Sequence, residues 1–184
     1  TKSEPCDLHE VIRECVDLCR GELESRRIDL RLKLNADDPV VAAGRVELQQ
    51  VFLNLLNNAR QAIATNGRTG LIRFASRYEA EHERIRIEVS DTGPGIPEGI
   101  RERIFDPFFT TKERGQGTGL GLSICRGIIE EIGGQIRADA TESGGGLILV
   151  QVPATGSLEI LTPNDRPDVE PLKRNCRFLV VDDD

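Results

Sequence analysis

The residues of this chain that are best suited to chemistry lie in two glycine-rich segments. The first is DTGPGIP, which begins at Asp91, and the second is GQGTGLGLSI at residues 115–124, which leads into an apolar run. A carboxylate can accept a hydrogen bond from the amine of adenine, glycines let the backbone approach a ring or phosphates, and the first N–H groups of a helix attract anionic oxygens. In this order the segments predict a site for a nucleoside triphosphate, with ATP as the first candidate.

Asp91 is expected to end a strand and to point at the exocyclic amine of adenine. The turn after it needs a residue with positive φ, which Gly93 or Gly95 can supply, while Pro94 and Pro97 stiffen it. By itself this motif is weak, because a loop aspartate before glycines usually stabilises its own turn. That alternative stays open unless neighbouring motifs also point to a nucleotide.

The second glycine segment is predicted to bind phosphates at the start of a helix. Gly117, Gly119 and Gly121 occur at alternate positions, so backbone N–H groups can converge there, and the helix dipole reinforces them. The rival interpretation is a GxGxxG dinucleotide-binding motif, but that motif follows a strand, whereas a phenylalanine-rich loop precedes this one. The chain also contains no phosphate-binding loop of the GxxxxGKS or GxxxxGKT type.

The loop between the glycine segments contains aromatic and basic residues. Phe105, Phe108 and Phe109 lie close together in sequence and favour a lid whose aromatic side chains fold onto the core when ligand is present. Simple core packing explains these aromatic residues equally well. Lys112 and Arg114 are candidates for contact with a γ-phosphate, and the alternative for both is a solvated position.

A polar stripe on a predicted helix at residues 45–64 supplies candidate metal ligands. Its members recur every three or four residues, opposite the apolar face: Glu47, Gln50, Asn54, Asn58 and Gln61. Asparagine is an indifferent helix former, so two of them four residues apart need an explanation. An amide oxygen suits Mg²⁺, which completes its octahedron with waters and substrate phosphates. Asn58 is therefore the first candidate ligand and Asn54 the second; the alternative is that these amides face water or cap a strand.

Periodicity and turn signals predict the elements that would position these residues. The predicted helices span residues 7–24, 45–64 and 118–132. The predicted strands span residues 28–34, 69–78, 84–91, 135–140 and 147–153. The first helix is expected to begin at an N-cap, Asp7. Its apolar face is predicted to contain Leu8, Val11, Ile12, Cys15, Leu18 and Cys19.

Composition bounds the domain organisation and the partners. Residues 1–153 are expected to form one domain, and residues 154–176, rich in Pro, Asp, Thr and Asn, are expected to form a linker. Residues 177–184, RFLVVDDD, are either the first strand of another domain or a solvated acidic end. A net charge of −7 and a pI near 5.0 argue against nucleic-acid binding.

The cysteines and the apolar runs bear on location. The five cysteines form no CxxC pair, and together with the lack of a secretory leader they favour reduced thiols in a cytoplasmic setting. No apolar run approaches the roughly 18 residues of a membrane span, so no membrane contact is expected.

Four motifs together resemble those of sensor histidine kinases. They are ELQQVFLNLLNNARQAI at 47–63, DTGPGIP at 91–97, FDPFFTTK at 105–112 and GQGTGLGL at 115–122, similar to the asparagine box, first glycine box, phenylalanine box and second glycine box. The resemblance spans residues 7–153 and implies the ATP-binding catalytic domain. Its fold would be an α/β two-layer sandwich of the Bergerat type, with a mixed β-sheet covered on one face by helices and a flexible ATP lid.

The resemblance also implies roles for individual residues. Asn58 and Lys112 would act in catalysis, and Asn58 with Asn54 would hold Mg²⁺. The nucleotide contacts that it implies are Asn54, Asn58, Gln61, Asp91, Gly93, Gly95, Ile96, Phe109, Thr110, Lys112, Gly117, Thr118, Gly119, Leu120 and Gly121.

The chain departs from the family pattern at two positions. Many members have lysine three residues after the metal-binding asparagine, where this chain has Gln61, and Lys112 is the residue expected to substitute. Many also have threonine in the last strand region near the adenine, where Gly146 stands here. A water that bridges protein and base would then be held differently.

The resemblance implies partners that lie elsewhere. His9 in LHEVIREC is not expected to accept phosphate, because no proline follows and no second hairpin helix fits before the strand at 28–34. The acceptor histidine would belong to a dimerisation hairpin, which makes a homodimer the expected state. Residues 177–184 are similar to the start of a receiver domain, with Asp182 and Asp183 matching its acidic metal-binding pair.

The residue at position 54 favours phosphoryl transfer over ATP hydrolysis. ATP-hydrolysing relatives such as gyrase have a glutamate one helical turn before the metal-binding asparagine, and Asn54 stands there instead. Without that carboxylate, water lacks a general base, and the site is left to position phosphates for an external nucleophile. An ATP-driven conformational clamp and a nucleotide-binding module that lacks transfer remain the alternatives.

Overall fold

The structure of the chain is a computed structural model that describes residues 4–65, 69–112 and 117–155. Arg114 and Gly115 lie outside the described residues, as do the predicted linker from residue 156 onward and the predicted receiver segment at 177–184. The domain includes Thr155, whose hydroxyl donates to the carbonyl of Val40 over 2.7 Å. Ala154 is buried, and its N–H donates to the carbonyl of Glu83.

The described residues form seven strands in two sheets. In chain order they are β1 Pro5–Asp7, β2 Ile28–Leu34, β3 Val40–Ala42, β4 Gly70–Glu79, β5 Arg84–Asp91, β6 Gln135–Ala140 and β7 Gly146–Pro153. The main sheet has the order β2-β4-β5-β7-β6, with β2 parallel to β4 and the other neighbours antiparallel. The mixed sheet confirms the predicted fold class. Its register places Asp91 at the end of β5, beside the start of β7.

Three helices pack on the main sheet: α1 Leu8–Ser25, α2 Arg45–Thr65 and α3 Gly121–Glu131. The helix α2 is central and contacts α1, α3 and strands β4, β5 and β7. Its buried face is the predicted one: Leu48, Val51, Phe52, Leu55, Leu56, Ala59 and Ile63. Phe52 meets Phe74 of β4 edge to face, with ring centroids 6.4 Å apart. Burying an aromatic or branched side chain of this size contributes about 1.5–3 kcal/mol, so this face fixes α2 over the sheet.

The start of α1 follows the prediction, but its buried face is rotated. Asp7 is the N-cap and accepts hydrogen bonds from the backbone N–H groups of His9 and Glu10. Leu18, which was expected in the apolar face, is 72% exposed, and Val16 is buried instead. Around the helix axis, Leu18 lies at the edge of the face formed by the other apolar residues of α1. It is therefore exposed, whereas Val16 lies within the buried face.

Two further differences have local causes. The sheet formed by β1 and β3 was not predicted, since strands of three residues are too short to show alternation. The helix α3 begins at Gly121 rather than Thr118, because Gly119 has a φ of 66° and keeps the preceding backbone out of the helix. That shift leaves residues 117–120 as an irregular segment in front of the helix.

His9 has a structural position in α1. Its side chain is buried, and Nε2 lies 2.7 Å from the hydroxyl of Ser76, which also accepts the N–H of Ala36. Burial lowers the pKa of the imidazole. A histidine enclosed in this way is not available to a phosphate donor, as the sequence predicted.

The described residues include four cysteines and three α-helices that bear on location. Cys6, Cys15, Cys19 and Cys125 are free thiols in the described part of the chain. None of the helices within residues 4–65, 69–112 and 117–155 is both long and apolar enough to cross a membrane.

Candidate functional site

A cleft lies between α2, the end of β5, the turns that follow β5 and the start of α3. It has two adjoining compartments with volumes of about 660 Å³ and 560 Å³. We call the larger one the Asp91 compartment and the smaller one the glycine compartment, after Asp91 and after Gly117, Gly119 and Gly121 that line them. The residues common to both are Asn58, Gln61, Ile104, Thr111, Lys112 and Leu122. A ligand can therefore occupy both compartments at once.

The Asp91 compartment is mostly apolar. Its walls come from α2, the sheet, the turns Glu98–Ile100 and Arg103–Phe105, and the start of α3. The apolar side chains that line it are Leu55, Ala59, Ala62, Val89, Pro94, Ile96, Pro97, Ile100, Ile104, Leu122 and Ile148. An apolar cleft of this size, with one carboxylate among its described lining residues and Lys112 at the junction with the glycine compartment, fits a flat ring that makes one polar contact.

Asp91 is the anionic group of that compartment, and backbone groups hold it in place. Its Oδ1 accepts the N–H of Gly93 over 2.7 Å, and its carboxylate also accepts the N–H of Gly146. Burial raises the pKa of Asp91, and the two N–H groups oppose that rise. The turn role that was left open for Asp91 is thus real, but it uses only part of the carboxylate's four acceptor sites.

Gly146 explains how close Asp91 comes to β7. A Cβ added at Gly146 would lie 2.5 Å from Oδ2 of Asp91, which is closer than real Cβ contacts allow. The carboxylate therefore occupies the space that a side chain at position 146 would take. Gly95 has a φ of 79° and supplies the positive φ that the turn needs.

The glycine compartment is more polar than the Asp91 compartment, and α2 provides its amides. Nδ2 of Asn54 donates to the carbonyl of Gly121 over 3.2 Å and so joins α2 to the first turn of α3. Asn58 lines both compartments, and its side chain makes no hydrogen bond to any described residue. Its amide is therefore free to bind a ligand at the junction of the two compartments.

Backbone from the second glycine segment forms another wall. The N–H of Phe108 donates to the carbonyl of Gly119 over 3.0 Å, and a Cβ at Gly119 would lie 2.5 Å from the carbonyl carbon of Phe108. Gly117 lies against Thr110 and Lys112, since a Cβ there would be 3.1 Å from Oγ1 of Thr110. Only glycine allows this close approach of two backbone segments in front of the N-terminus of α3.

Lys112 reaches the floor of the glycine compartment. Its Nζ donates a hydrogen bond to Oε1 of Gln61. Burial, and then the charge of Arg60, lower the pKa of Lys112. The cation expected to substitute for a lysine at position 61 is thus in contact with the residue at that position.

The charges of the glycine compartment are all of one sign. Among the described residues, Arg60 and Lys112 are its cations, and no carboxylate lines it. Nor does the described part of the chain contain a cluster of three or more His, Cys, Asp or Glu that could hold a metal ion. A divalent ion here would rely on an amide oxygen and on oxygens from the ligand, as Mg²⁺ does at nucleotides.

The structure brings together most of the predicted site residues. Those that line the cleft are Asn54, Asn58, Gln61, Asp91, Gly95, Ile96, Phe109, Thr110, Lys112, Gly117, Thr118, Gly119 and Gly121. Gly93 and Leu120 do not line it: Gly93 binds Asp91 through its N–H, and Leu120 is the N-cap of α3. Glu47 and Gln50, of the same polar stripe as Asn54, also lie outside it.

The phenylalanine cluster divides between the two roles that were left open. Phe105 is 2% exposed, under the guanidinium of Arg126, and belongs to the core. Phe109 lines the glycine compartment, and Arg103 lies over its ring. Phe108 is 73% exposed and has a φ of 67°. One member packs, one lines the site and one faces solvent.

The sequence did not assign Arg60, Asn57 or the apolar wall other than Ile96 to the site. The apolar residues of α2 that line the Asp91 compartment follow the same helical spacing as the residues that pack in the core. The sequence pattern therefore does not distinguish the lining residues from the core residues. Arg60 had one available signal, because it follows Asn58 by two residues and is a large cation on a partly buried helix.

Comparison with known proteins agrees with this geometry. The family model described as histidine kinase-, DNA gyrase B-, and HSP90-like ATPase matches residues 43–156. In sequence, the sensor protein FixL of Bradyrhizobium diazoefficiens is 37% identical over 147 residues, which cover 80% of this chain and 28% of FixL. The chain therefore spans less than a third of that relative.

Among solved structures, the catalytic domain of histidine kinase ThkA is similar in fold and sequence. It matches with a TM-score of 0.73 and 37% identity, over 84% of this chain and 97% of that domain. Histidine kinase ThkA in complex with response regulator protein TrrA matches with a TM-score of 0.69 and 35% identity, over 84% of this chain and 42% of that kinase. The family-model match at residues 43–156 includes the elements that line the cleft.

Proposed function

The chain belongs to the family of histidine kinase-, DNA gyrase B- and HSP90-like ATPases, and from this premise we propose that it binds ATP with Mg²⁺ and transfers the γ-phosphoryl group to a histidine. That histidine belongs to a dimerisation hairpin of the complete protein. The observation that carries the transfer step is the absence of any carboxylate among the described residues that line the glycine compartment.

The adenine occupies the Asp91 compartment. Its exocyclic amine donates to the carboxylate of Asp91, while the apolar wall packs on the ring faces. Asp91 is held by the N–H groups of Gly93 and Gly146, so the acceptor is oriented before the base arrives. Ile96 lines the same compartment and contributes to ring packing.

The triphosphate occupies the glycine compartment. Backbone N–H groups of residues 117–121, at the N-terminus of α3, and the ammonium of Lys112 bind its oxygens. Thr110, Thr118 and Phe109 line the same space and restrict the position of the chain of phosphates. Gln61 acts through Lys112, whose Nζ it orients.

Asn58 is the residue that would hold Mg²⁺, with Asn54 as the second candidate. The amide of Asn58 lies at the junction of the compartments and has no partner among the described residues, whereas Asn54 is bound to α3 through Nδ2. When bound, Mg²⁺ neutralises phosphate oxygens and holds them in a fixed geometry. The donor set of amides and no carboxylates fits an ion that takes its other ligands from phosphates and water.

The described lining of the glycine compartment supports transfer rather than hydrolysis. A water molecule that attacks the γ-phosphorus needs a group to take its proton, and none of the described residues that line this compartment is a carboxylate or histidine. An imidazole brings its own lone pair and attacks without that help. The N–P bond forms as the bond between the γ-phosphorus and the bridging oxygen breaks, and ADP leaves with that electron pair.

The partners follow from the same reaction. The hairpin presents the histidine and forms a homodimer, and a receiver domain takes the phosphoryl group afterwards. The solved complex of ThkA with the response regulator TrrA supports a partner of this kind. Residues 177–184 are proposed as the start of such a receiver, joined through the linker at 154–176. ATP and free thiols are both consistent with a cytoplasmic location.

The test combines this chain with the hairpin of the complete protein and with ATP labelled on the γ-phosphate. We expect label on the hairpin. Acid should release this label as phosphate, and base should not. Label on a hairpin whose histidine is replaced by glutamine would contradict transfer to histidine.

The same experiment separates the other functions. ATP binding without any labelled hairpin would indicate a nucleotide-binding module that lacks transfer. Rapid release of phosphate by the chain alone would indicate an ATPase clamp.

A further inference from the structure

We propose that Arg60 is a second cationic contact for the terminal phosphate of the nucleotide, and that Glu22 on α1 holds it when the site is empty. Arg60 would then make the site prefer the triphosphate over the diphosphate. This inference rests on the proposed nucleotide function and adds a residue to the phosphate-binding part of the site.

The position of Arg60 is the first observation. It lies on α2 two residues after Asn58 and lines the glycine compartment on the side toward α1. Its side chain is only 13% exposed. A guanidinium is always charged, so this charge is largely removed from water and needs a compensating anion.

The hydrogen bonds of Arg60 leave part of that need unmet. Its Nη1 lies 2.6 Å from Oε1 of Glu22, and its Nη2 donates to Oδ1 of Asn57 over 3.3 Å. The Nε atom is buried and has no partner among the described residues. A guanidinium has five N–H groups in a planar fork, and phosphate oxygens are suited to the N–H groups of Nη1 and Nη2 that remain.

The neighbouring cation is the second observation. Arg60 is close enough to lower the pKa of Lys112, and Gln61 between them offers only a neutral oxygen. Since no carboxylate lines this compartment in the described part of the chain, an incoming phosphate relieves the repulsion between the two cations. The gain is larger for a ligand with more negative charge at that end, which is ATP rather than ADP.

Glu22 gives the inference a second, opposite prediction. Its side chain is 47% exposed at the rim, so it is hydrated and can release Arg60. If Arg60 binds phosphate, Glu22 competes with the nucleotide for the same guanidinium. Removing the charge of Glu22 should therefore strengthen ATP binding, whereas removing Arg60 should weaken it.

Four proteins test this, each titrated with ATP and with ADP at one free Mg²⁺ concentration: wild type, Arg60→Gln, Glu22→Gln and Arg45→Gln. Arg45 is the matched control, because it also joins α2 to α1, through Glu10 and Glu14, but lies outside the cleft. We expect Arg60→Gln to weaken ATP by about tenfold and ADP by about twofold or less. Glu22→Gln should tighten ATP by about twofold to fivefold, and Arg45→Gln should change neither affinity.

Equal losses for ATP and ADP in Arg60→Gln, or weaker ATP binding in Glu22→Gln, would overturn the inference and leave only a structural ion pair. If Arg60→Gln does not fold, Arg60→Lys replaces it and should retain part of the preference for ATP. Failure of the wild type to bind either nucleotide would instead refute the proposed function.

Discussion

The two compartments of the cleft are built in different ways. The Asp91 compartment is formed by the sheet, α2 and stiff turns, and its carboxylate is fixed by the N–H groups of Gly93 and Gly146. The glycine compartment is formed by side-chain amides, two cations and irregular backbone in front of α3. The Asp91 compartment continues the hydrophobic core, whereas the glycine compartment is lined by polar groups from separate segments of the chain.

This difference means that the compartments can be disabled separately. Adenosine reports on the Asp91 compartment alone, because it has no phosphates. The difference between ATP and adenosine reports on the glycine compartment. A substitution that acts in one compartment should change either the adenosine affinity or the difference between the ATP and adenosine affinities, and leave the other quantity unchanged.

The largest effect is expected for Asn58→Ala. Loss of the amide at the junction removes the proposed Mg²⁺ ligand, and phosphoryl transfer should slow by about a hundredfold or more. The affinity for adenosine should stay at the wild-type value. Transfer to the hairpin and adenosine titration measure the two quantities. Gln50→Ala is the matched control, because Gln50 is on the same helical stripe but is exposed and outside the cleft; an equal loss there would break the assignment.

Asp91→Asn should break the other compartment. The amide presents a donor where the carboxylate accepts, so adenosine, ADP and ATP should all bind about tenfold to a hundredfold more weakly. The ratio between ATP and adenosine should stay constant. Glu88→Gln changes a carboxylate on the same strand and outside the cleft, and should have no effect. A loss confined to ATP would mean that Asp91 does not contact the base.

Lys112→Gln sharpens the comparison within the glycine compartment. The ammonium is a point charge near the phosphates, so ATP should bind about tenfold more weakly and adenosine as before. The salt dependence of ATP binding should also decrease. Lys33→Gln removes an exposed lysine of β2 and serves as the control. Unchanged ATP affinity in Lys112→Gln would mean that the ammonium does not contact the phosphates.

The smallest effect is the pH dependence of adenosine binding. Burial raises the pKa of Asp91, and only the ionised carboxylate accepts from the amine, so affinity should be full above that pKa and fall as the pH drops through it. The decline should begin at a higher pH than for an exposed aspartate. Asp91→Asn should lack this step. A wild-type profile that follows the variant's would show that Asp91 does not control binding.

The sequence predicted the fold where side chains repeat over many residues. The buried face of α2 and the alternation in β4 and β5 both span at least two turns or several residue pairs, so the period is visible. β1 and β3 were missed because three residues show no period. The start of α3 was misplaced because apolar spacing continues through Leu120, while the positive φ of Gly119 is a property of the backbone.

The sequence predicted the polar members of the cleft better than its walls. Asp91 and Asn58 stand out because a carboxylate before glycines and an asparagine within a helix both need a reason. Leu55 and Ile148 do not, since an apolar residue that touches a ligand has the same pattern as one that touches the core. Arg60 was missed because its environment depends on Glu22, which lies on another helix.

The most direct measurement of the central claim is a calorimetric titration of the chain with ATP and with GTP at saturating Mg²⁺. We predict binding of ATP at one site and binding of GTP at least about tenfold weaker, because guanine would direct a carbonyl oxygen at the carboxylate of Asp91. Absence of ATP binding by the folded chain, or equal affinity for the two nucleotides, would contradict the claim that Asp91 and the glycine compartment form an ATP site.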